Sequence, residues 1–435
     1  MIEGLKIIDL AVHEDGRGWF KENWRADWLD FRPVQQNVSF NAARGTTRGL
    51  HAEPWDKLVS VAHGRVFGAW HDLREGSATF GETVTHEFGP ESAVFVPRGV
   101  ANGFQALDDD TVYTYLVGDY WSAQAQYANI SLNLVDWPLE PVNVSAKDLA
   151  TPAVAEPISP RRVLVTGANG QLGSALRRLL PDAEFCTHDE FDITDPPARN
   201  WRQYEAIINT AAYNDVDGAE NDRARAWAVN ATGPAKLARI AADNDITLVH
   251  VSTDYVFDGA KEGAYTEEDP VSPLSFYGAA KAAGDTAAAT APKHYVVRTT
   301  WVAGNGGNFI RTMMDLAARD VEPRVVDDQR GRPTFAEDLA RAIVHLLEKK
   351  PEYGVYNVTG GGDAAGRDEI AMATFIAVGH DPAEVHPTPS AEYYGDAPHA
   401  PRPANSELSL DKITATGFTP QNWRVGLALY VALTP

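Results

Sequence analysis

The chain has 435 residues, of which 44% are hydrophobic and 23% charged, and its formal net charge is −22. This length predicts two or three domains, and the balance of residue types is typical of a globular protein. An acidic chain without a basic patch argues against a nucleic acid partner. No apolar run is long enough to cross a bilayer, acidic residues come too early for a signal peptide, and Cys186 is the one cysteine. We therefore expect a cytoplasmic protein with no internal disulfide and no membrane partner.

Residues 1–149 contain short strand-like runs. Two of them flank a turn at Gly64 and Arg65 in KLVSVAHGRVFGAWHDLR, and SAVFVPRGVANGFQAL and TVYTYLVGDYW follow at short spacing. Short strands separated by turn signals predict an all-β sandwich or jelly roll. The segment 150–160 is rich in Ala and Pro and has neither helical nor strand periodicity. We predict that it is a linker, able to span on the order of 20 Å as a flexible chain.

Strands and helices alternate in residues 161–435. RVLVTG, EAIINTAAY and TLVHVSTDYVF predict strands, whereas residues 171–180 and the run ARAWAVNATGPAKLARIAADND predict helices. This alternation predicts an α/β, Rossmann-type doubly wound parallel sheet. The whole chain is therefore expected to be multidomain.

A glycine triplet follows the first of these strands, in TGANGQLG. It places Gly167, Gly170 and Gly173 where a strand turns into a helix. A Cβ there would obstruct a pyrophosphate, and the helix N-terminus supplies N–H donors, although glycines also occur in ordinary turns. Asp189, near the end of the expected second strand, could hold an adenosine ribose and favours NADH, but the sequence leaves NADH and NADPH both open.

Tyr277 and Lys281 are four residues apart, so on a helix they share a face. An adjacent Lys charge is expected to lower the pKa of a buried Tyr, and Thr253 could hydrogen-bond the same substrate oxygen. Alone, the Tyr-x-x-x-Lys pair would indicate a surface helix. Its order after the glycine turn and after STD predicts a hydride-transfer site instead.

Several motifs along residues 161–435 carry a family resemblance: TGANGQLG, FDITD, STDYVFDG, YGAAKAAGD, RTTWVAG, VVDDQRGRPT and RPANSEL. The segment resembles an extended short-chain dehydrogenase/reductase, and within that group it is most similar to dTDP-4-dehydrorhamnose reductase. The resemblance implies a small substrate-binding subdomain and a reducing site of Thr253, Tyr277 and Lys281. It implies cofactor contacts from Gly167, Asn169, Gly170, Gln171, Leu172, Gly173, Asp192, Ile193, Ala211, Ala212, Tyr213, Tyr277 and Lys281. It implies sugar-nucleotide contacts from Thr253, Asp254, Trp301, Asp328, Gln329 and Arg332.

One position within this resemblance favours reduction over dehydration. The dehydratase relatives have a Glu after STD for acid–base work on the sugar, and here Tyr255 stands in its place.

The loop DDQRGRP carries cations that could meet a diphosphate, or it could be an ordinary solvated loop. We therefore expect simple carbonyl reduction with NADPH or NADH, and the sequence leaves any requirement for Mg²⁺ open.

The first half contains His51 in RGLHAEPWDK, where Glu53 is the one other His or Glu residue. A structural histidine would explain His51 equally well. A metal-binding site in such a fold needs three His or Glu ligands, and HEF at residues 86–88 does not complete one. We therefore predict no catalytic metal.

The first half is similar to dTDP-4-dehydrorhamnose 3,5-epimerase, a metal-free member of the cupin-like jelly rolls. The motifs are GRGWFKE, QQNVSF, RGLH, DKLVSVAHGRVFGAWHDLREGSATFG, VPRGVANGF, YLVGDYW, DWPL and SAKD. The resemblance implies that His51 removes the protons beside the C4 ketone and that Asp148 orients it. It implies that Tyr115 returns a proton from the opposite face and that Lys57 stabilises the enolate. It implies substrate contacts from Arg17, Glu22, Asn37, Arg48 and Asn102.

Two positions depart from the epimerase pattern. The family usually has His where Asn102 stands and Gln where Glu53 stands. Asn102 can donate a hydrogen bond to the ketone oxygen but cannot be a cation, and Glu53 adds negative charge near an anionic ligand. Epimerisation at C3 and C5 is thus less directly supported by the sequence than reduction.

These observations predict a bifunctional enzyme, an isomerase joined to an oxidoreductase. It would epimerise dTDP-4-dehydro-6-deoxy-D-glucose and reduce the 4-keto group with NAD(P)H to give dTDP-L-rhamnose; the epimerase half would need no cofactor. The alternative is an active reductase with a non-catalytic binding or dimerisation module in front. The resemblance implies a homodimer, and the sequence leaves the nucleotide base, thymine or uracil, open.

Overall fold

The computed structural model describes residues 1–29, 31–121, 125–152, 155, 157–158 and 161–434, without the side chain of residue 202. Residues 153, 154, 156, 159 and 160 of the predicted linker lie outside the described residues. The chain divides into two compact units, Met1–Pro160 and Arg161–Pro435.

The described part of the first unit is built from strands and one short helix. The strands are β1 (Lys6–Asp9), β2 (Val12–Asp15), β3 (Gly18–Lys21), β4 (Gln35–Asn41), β5 (Thr47–Ala52), β6 (Lys57–His63), β7 (Val66–Asp72), β8 (Thr83–Phe88), β9 (Ser92–Val96), β10 (Val100–Ala106), β11 (Thr111–Val117) and β12 (Ala128–Asn129). A 3₁₀ turn at Leu132–Leu134 and helix α1 (Ala146–Leu149) follow. The predicted run of short strands is confirmed.

Two five-stranded antiparallel sheets form this unit, in the orders β1-β9-β6-β11-β4 and β12-β5-β10-β7-β8. Val59 of β6 and Trp70 of β7 belong to one apolar cluster, which joins the two sheets. The strands β6 and β7 are consecutive, yet they lie in different sheets, and Gly64 between them has a φ of +76°. That conformation favours glycine because a Cβ would be strained there.

The predicted linker is not free along its whole length. Ile158 pairs with Arg74 in an isolated parallel bridge and is buried in a second apolar cluster of the first unit. Ile158 is thus attached to the first unit, because burying its apolar side chain lowers the free energy of the folded state.

The second unit begins with an alternating α/β region. Its elements are β13 (Arg162–Thr166), α2 (Gln171–Leu179), β14 (Glu184–Cys186), β15 (Tyr204–Asn209), α3 (Gly218–Asn221), α4 (Arg223–Trp227), α5 (Gly233–Asn244), β16 (Thr247–Thr253), α6 (Phe276–Ala288) and β17 (His294–Thr299). A π turn at Ala228–Thr232 joins α4 to α5, and 3₁₀ turns occur at Trp201–Gln203 and Asp254–Val256.

The remaining elements complete the sheet and add a smaller region. They are β18 (Val302–Ala303), α7 (Phe309–Ala317), β19 (Arg324–Val326), β20 (Arg330–Gly331), β21 (Thr334–Phe335), α8 (Ala336–Lys349), β22 (Gly354–Asn357), β23 (Ala365–Gly366), α9 (Arg367–Ala377), a 3₁₀ turn (Pro382–Glu384), β24 (His386–Thr388), α10 (Ser390–Tyr394), α11 (Asp411–Ala415) and α12 (Trp423–Leu433). Among the described helices, none has the length and apolarity that spanning a bilayer requires.

The main sheet of the second unit is parallel, in the order β14-β13-β15-β16-β17-β22. Successive residues point to opposite faces: Val165 packs in a cluster with α2 and α8, and Leu164 in a cluster with α5. Helices therefore cover both faces, and the predicted doubly wound sheet is confirmed. The strand order reverses at β13, so a ligand crevice is expected at the carboxyl ends of β13 and β15.

Candidate active sites

The first candidate site is a cavity of about 260 Å³ in the first unit. Residues from both sheets line it, together with α1 and the segment before it. The sheet that contains β5 and β10 contributes Arg48, His51 and Asn102, and the other sheet contributes Lys57 and Tyr115. Asp148 of α1 completes the lining, so six residues singled out from the sequence meet in one cavity.

An irregularity in β5 allows Arg48 and His51 to face the cavity together. Residues three apart on a regular strand point to opposite faces. Here His51 pairs with Asn102 and Arg48 with Phe104, so β5 has one residue more than β10 over this stretch. Such a bulge shifts the alternation of side chains by one residue, so that Arg48 and His51 point to the same face.

His51 and Asp148 form a close pair. Nε2 of His51 lies 2.7 Å from Oδ1 of Asp148, although 97 residues separate them in the chain. The Asp148 carboxylate is buried, and the Ser145 hydroxyl accepts a hydrogen bond from the Asp148 backbone N–H at the start of α1. The carboxylate therefore orients the ring and leaves Nδ1 as the nitrogen available to a ligand.

Lys57 and Tyr115 approach from the opposite sheet. Lys57 Nζ lies 6.0 Å from the centroid of the Tyr115 ring. Burial raises the pKa of the Tyr115 hydroxyl, the Glu53 carboxylate raises it further, and Arg48 opposes them. Tyr115 thus keeps its proton at neutral pH and can act as an acid toward the face of a ligand opposite His51.

Asn102 is already hydrogen-bonded on one side. The Tyr113 hydroxyl donates to Asn102 Oδ1 at 3.4 Å, and the Tyr113 ring stacks on Phe104 at 4.0 Å. Because the amide oxygen is engaged, the amide nitrogen is the donor that Asn102 retains for a ligand. Sequence reasoning missed Tyr113, which differs from other strand tyrosines only through this contact.

The structure does not bring three of the expected substrate residues into the cavity lining. Arg17 lies at the β2–β3 turn and forms an exposed ion pair with Asp15 at 2.5 Å. Glu22 forms an exposed pair with Arg25 at 3.5 Å. Asn37 pairs with Tyr115 across β4 and β11, but its Oδ1 accepts from Gln35 at 2.8 Å. Local partners therefore satisfy all three side chains.

The second candidate site begins at the glycine turn between β13 and α2. Gly167 has a φ of +72°, and a Cβ there would lie 2.8 Å from the backbone nitrogen of Ala211. A Cβ on Gly173 would lie 2.6 Å from the carbonyl oxygen of Gly167. The turn therefore requires glycine and opens onto a cavity of about 520 Å³ at the carboxyl edge of the sheet.

Most of the expected cofactor residues line this cavity or its continuation. The larger cavity is lined by Gly167, Asn169, Gly170, Asp192, Ile193, Ala211, Ala212 and Tyr213, and the adjoining cavity of about 310 Å³ by Gln171 and Leu172. Gly173 packs beneath the turn instead. The strand β14 ends at Cys186, so Thr187 and His188 border the cavity and Asp189 does not. The cavity lining therefore gives no support to the argument that Asp189 favours NADH.

Thr253, Asp254, Tyr277 and Lys281 line the adjoining cavity together and are all buried. The Thr253 hydroxyl donates to Asp254 Oδ1 at 2.9 Å, and Lys281 Nζ donates to the Val251 carbonyl at 2.6 Å. Burial raises the pKa of Asp254 to about 6 and lowers the pKa of Lys281 to about 8. The predicted one-face arrangement of Tyr277 and Lys281 on α6 is confirmed.

The pKa of Tyr277 moves in the direction opposite to the expected one. Burial raises it, and the charges of Asp254 and Tyr255 add to the effect. Desolvation of the phenolate is the largest cause, and the hydrogen bond with Thr253, which lowers the pKa, does not reverse it. The Lys281 ammonium is itself desolvated and donates to the backbone. Tyr277 is therefore an acid that holds its proton, which suits proton donation to a carbonyl oxygen.

Of the expected sugar-nucleotide residues beyond this point, the structure gathers some and not others. Trp301 lines the adjoining cavity, and Gln329 lines a third cavity of about 360 Å³. Asp328 instead accepts hydrogen bonds from Ser390 at the start of α10. Arg332 is buried and donates to the carbonyls of Gly362 and Leu408. Neither Asp328 nor Arg332 lines the three cavities of this unit described above.

Sequence reasoning missed three cations that line the third cavity, Arg324, Arg367 and Arg402. The Arg367 guanidinium lies 4.4 Å from the Trp301 ring centroid, and its Nε is buried without a hydrogen-bond partner among the described residues. Arg402 begins the motif RPANSEL, which was a usable signal. Arg367 has no such signal, because its position depends on α9 packing near Trp301. In the described parts of the chain, no group of three or more His, Cys, Asp or Glu side chains could hold a metal ion.

The parallel sheet, the glycine turn and the Thr253, Tyr277 and Lys281 set define the second unit as a short-chain dehydrogenase/reductase. The family model described as the RmlD substrate binding domain matches residues 161–434. The model described as dTDP-4-dehydrorhamnose 3,5-epimerase matches residues 1–156. The chain thus belongs to the RmlD family through its second unit, which is joined to an epimerase-family first part.

Two reductases are similar to this chain over its second part, and one solved epimerase-type structure matches its first part. The dTDP-4-dehydrorhamnose reductase of Mycobacterium tuberculosis is 42% identical over 285 residues, covering 62% of this chain and 92% of that relative. The Bacillus anthracis reductase, solved in complex with NADP, is 32% identical with a TM-score of 0.57, covering 63% of this chain and 100% of that one. RmlC from Streptococcus suis, in complex with dTDP-D-xylose, is 43% identical with a TM-score of 0.34, covering 36% of this chain and 91% of that one.

Proposed function

We propose that the chain converts dTDP-4-dehydro-6-deoxy-D-glucose into dTDP-L-rhamnose in two steps. The first unit inverts C3 and C5 beside the ketone, and the second unit reduces that ketone. The observation that carries the proposal is the pair His51–Asp148 facing Lys57 and Tyr115 across one cavity. An imidazole base and a hydroxyl acid on opposite walls are what inversion at carbon requires.

In the epimerisation, His51 Nδ1 takes the proton from the carbon beside the ketone, and the electron pair moves to the ketone oxygen as an enolate. Lys57 and Asn102 stabilise that oxygen, and Tyr115 returns a proton to the opposite face of the carbon. Solvent then removes the proton from His51 and restores the one on Tyr115. A positioned base contributes about 10²–10⁴-fold, and each donor on the developing oxyanion contributes about 3–4 kcal/mol.

In the reduction, a bound NADPH or NADH supplies the hydride. The Gly167 turn, which a Cβ would fill, and the cavity beside it fit the pyrophosphate of such a dinucleotide. Tyr277 donates its proton to the ketone oxygen, Thr253 hydrogen-bonds the same oxygen, and the Lys281 charge stabilises the tyrosinate that remains. The NADP complex of the Bacillus anthracis relative supports this cofactor class.

The sugar nucleotide is proposed to extend from Trp301 into the cavity lined by Gln329, Arg367 and Arg402. The unpartnered Nε of Arg367 supports a diphosphate contact, because an unpaired buried donor is costly unless a ligand satisfies it. The region of α7, α9 and α10 would then be the small substrate-binding subdomain.

The remaining proposals concern architecture and assembly. The two antiparallel sheets support a cupin-like jelly roll for residues 1–149, with residues 150–160 as the connection to residues 161–435. Apolar side chains on β3 and β4 support a homodimer: Phe20 and Val38 are each 66% exposed, and Phe40 is 58% exposed. None of these three side chains lines the cavity of the first unit. We propose a cytoplasmic location, supported by the need for nucleotide substrates.

Product analysis by NMR tests the function. Wild-type protein given the 4-keto sugar should exchange deuterium from solvent at C3 and C5 without a cofactor, and should form the L-rhamnose product once NADPH or NADH is added. Tyr277→Phe should retain the exchange and lose reduction by about 10²-fold or more. His51→Ala should lose the exchange by a similar factor.

Two outcomes would contradict the proposal. Normal reduction by the Tyr277→Phe variant would remove Tyr277 from the mechanism. Absence of deuterium exchange in the wild type, with reduction intact, would leave the first unit as the non-catalytic module of the alternative.

A further inference from the structure

Glu53 occupies an unusual place in the first-unit cavity. Its Oε2 lies 2.8 Å from Lys57 Nζ and also accepts a hydrogen bond from Trp55 Nε1 at 2.8 Å. The Glu53 side chain is 20% exposed and that of Lys57 is 6% exposed, so water screens their interaction weakly. Trp55 is itself buried. Two donors thus hold the carboxylate in one orientation at the wall of the cavity.

We propose that Glu53 is a positioning residue for the epimerisation: its carboxylate anchors the Lys57 ammonium at the enolate oxygen and places a fixed negative charge beside Tyr115. The inference rests on the proposed function of the first unit. It gives a role to Glu53, which stands where the epimerase family usually has Gln.

The anchoring part of this role follows from the geometry. A Lys side chain has a flexible stem of four carbons and loses much conformational entropy when it is held in place. The ion pair with Glu53 meets that cost before the substrate arrives, so Lys57 is already directed when the enolate forms. Two of the three ammonium protons of Lys57 remain for other acceptors, and one of them can meet the ketone oxygen.

The second part concerns the proton on Tyr115. The charged and titratable groups that line the cavity around its hydroxyl are Arg48, His51 and Glu53 from β5 and its end, Lys57 from β6, Tyr113 from β11, and Lys147 and Asp148 from α1. Among these, Glu53 raises the pKa of Tyr115 and Arg48 lowers it, in addition to the rise caused by burial. Without the Glu53 charge, burial alone would oppose Arg48, and the pKa of Tyr115 would lie lower. Glu53 thus extends the pH range over which Tyr115 holds a proton to donate.

The pH dependence of deuterium exchange tests the inference. The full-length chain is given the 4-keto sugar in deuterated buffer without cofactor, and exchange at C3 and C5 is followed from neutral to alkaline pH. In Glu53→Gln, the pH above which exchange declines should fall by about one unit, because the pKa of Tyr115 falls when the nearby negative charge is lost. The rate at neutral pH should fall up to about tenfold, because Lys57 loses a charge-assisted partner.

Two further variants keep the test decisive. Glu53→Asp retains the charge, so it should restore the alkaline limb while its shorter reach still lowers the neutral rate. Glu87→Gln is the matched control: it removes an exposed carboxylate of strand β8, outside the cavity lining. It should change neither the rate nor the profile.

The outcomes separate the inference from the function on which it rests. An identical pH profile in wild type and Glu53→Gln would overturn the inference while exchange itself upholds the proposed function. Should Glu53→Gln fail to fold, an alkaline limb in Glu53→Asp that lies lower than in wild type would overturn it equally. No exchange in the wild type would instead contradict the proposed function.

Discussion

Single side chains in both sites owe their chemistry to burial more than to their neighbours in the sequence. The Tyr-x-x-x-Lys pattern predicted a shared helix face correctly, but the expected lowering of the Tyr277 pKa was wrong. Desolvation disfavours the phenolate and the ammonium alike, so it raises the pKa of Tyr277 and lowers that of Lys281. The pair is therefore a neutral acid beside a cation that is close to losing its charge.

This arrangement predicts an alkaline limit for the reductase. The pKa of Lys281 is lowered to about 8, so its charge is present below that pH and is lost as the pH rises through it. The kcat/KM for NAD(P)H-dependent reduction should therefore fall about tenfold per pH unit above that point. Lys281→Arg keeps its charge at all accessible pH values and should remove this limb, although its bulk lowers the plateau. A wild-type profile that stays flat well above pH 8 would show that the Lys281 charge is not required.

Two elements determine whether the reacting groups meet. In β5, the extra residue between the positions opposite Asn102 and Phe104 directs both Arg48 and His51 into the cavity. In α6, Gly278 and Gly284 allow the helix to approach its neighbours closely: a Cβ on Gly278 would lie 2.2 Å from the Tyr255 carbonyl oxygen. Periodicity predicts which face of each element is apolar. Periodicity does not predict a bulge, nor which element packs closely against a glycine, because both depend on the partner element.

The close approach of α6 leads to a prediction about Gly284. A Cβ at this position would lie 2.1 Å from the carbonyl oxygen of Asn230, whose side chain pairs with the backbone of Tyr213 beside the cofactor cavity. Gly284→Ala should lower the free energy of unfolding of the second unit by about 1–3 kcal/mol through overpacking, despite the roughly 1 kcal/mol that Ala gains in helix propensity. It should also raise the KM for NAD(P)H.

Thermal denaturation and cofactor titration would measure these effects. Thr286→Ala is the control, because Thr286 is exposed on the same helix and its hydroxyl bonds only to the Ala282 carbonyl at 3.1 Å among the described contacts. It should leave the KM unchanged. A Gly284→Ala variant as stable as the control would show that α6 and the π turn that contains Asn230 can move apart at no cost in stability.

At the scale of the whole molecule, each of the described cavities is lined by residues of a single unit. The first cavity is lined by residues from 39 to 148, and the cavities of the second unit by residues from 167 to 402. Because one chain carries both units, the two activities are present in equal amounts. A flexible connection of this length would raise the local concentration of the second site toward the millimolar range. Ile158, near the end of this connection, pairs with Arg74 of the first unit.

Independent sites predict complementation between inactive variants. His51→Ala and Tyr277→Phe chains should each fail to form the final product from the D-sugar, for the reasons given above. Their mixture should form it, because the epimerised ketone can leave one chain and enter another. NMR detection of product from the mixture, with each variant alone as control, measures this. A mixture of folded variants that stays inactive would indicate that the intermediate does not reach a second chain.

The sequence alone determined the division into a β-rich and an α/β part, the glycine turn, and the shared helix face of Tyr277 and Lys281. These features are local, since they depend on periodicity and on the conformations that particular residues allow. The tertiary structure decided which distant groups meet: His51 with Asp148, and Arg367 with Trp301. It also decided that Asp189, Asp328 and Arg332 do not line the cavities described above and that burial is the largest influence on the Tyr277 pKa. Register, strand ends and desolvation arise from packing between segments far apart in the chain, so no stretch of sequence specifies them by itself.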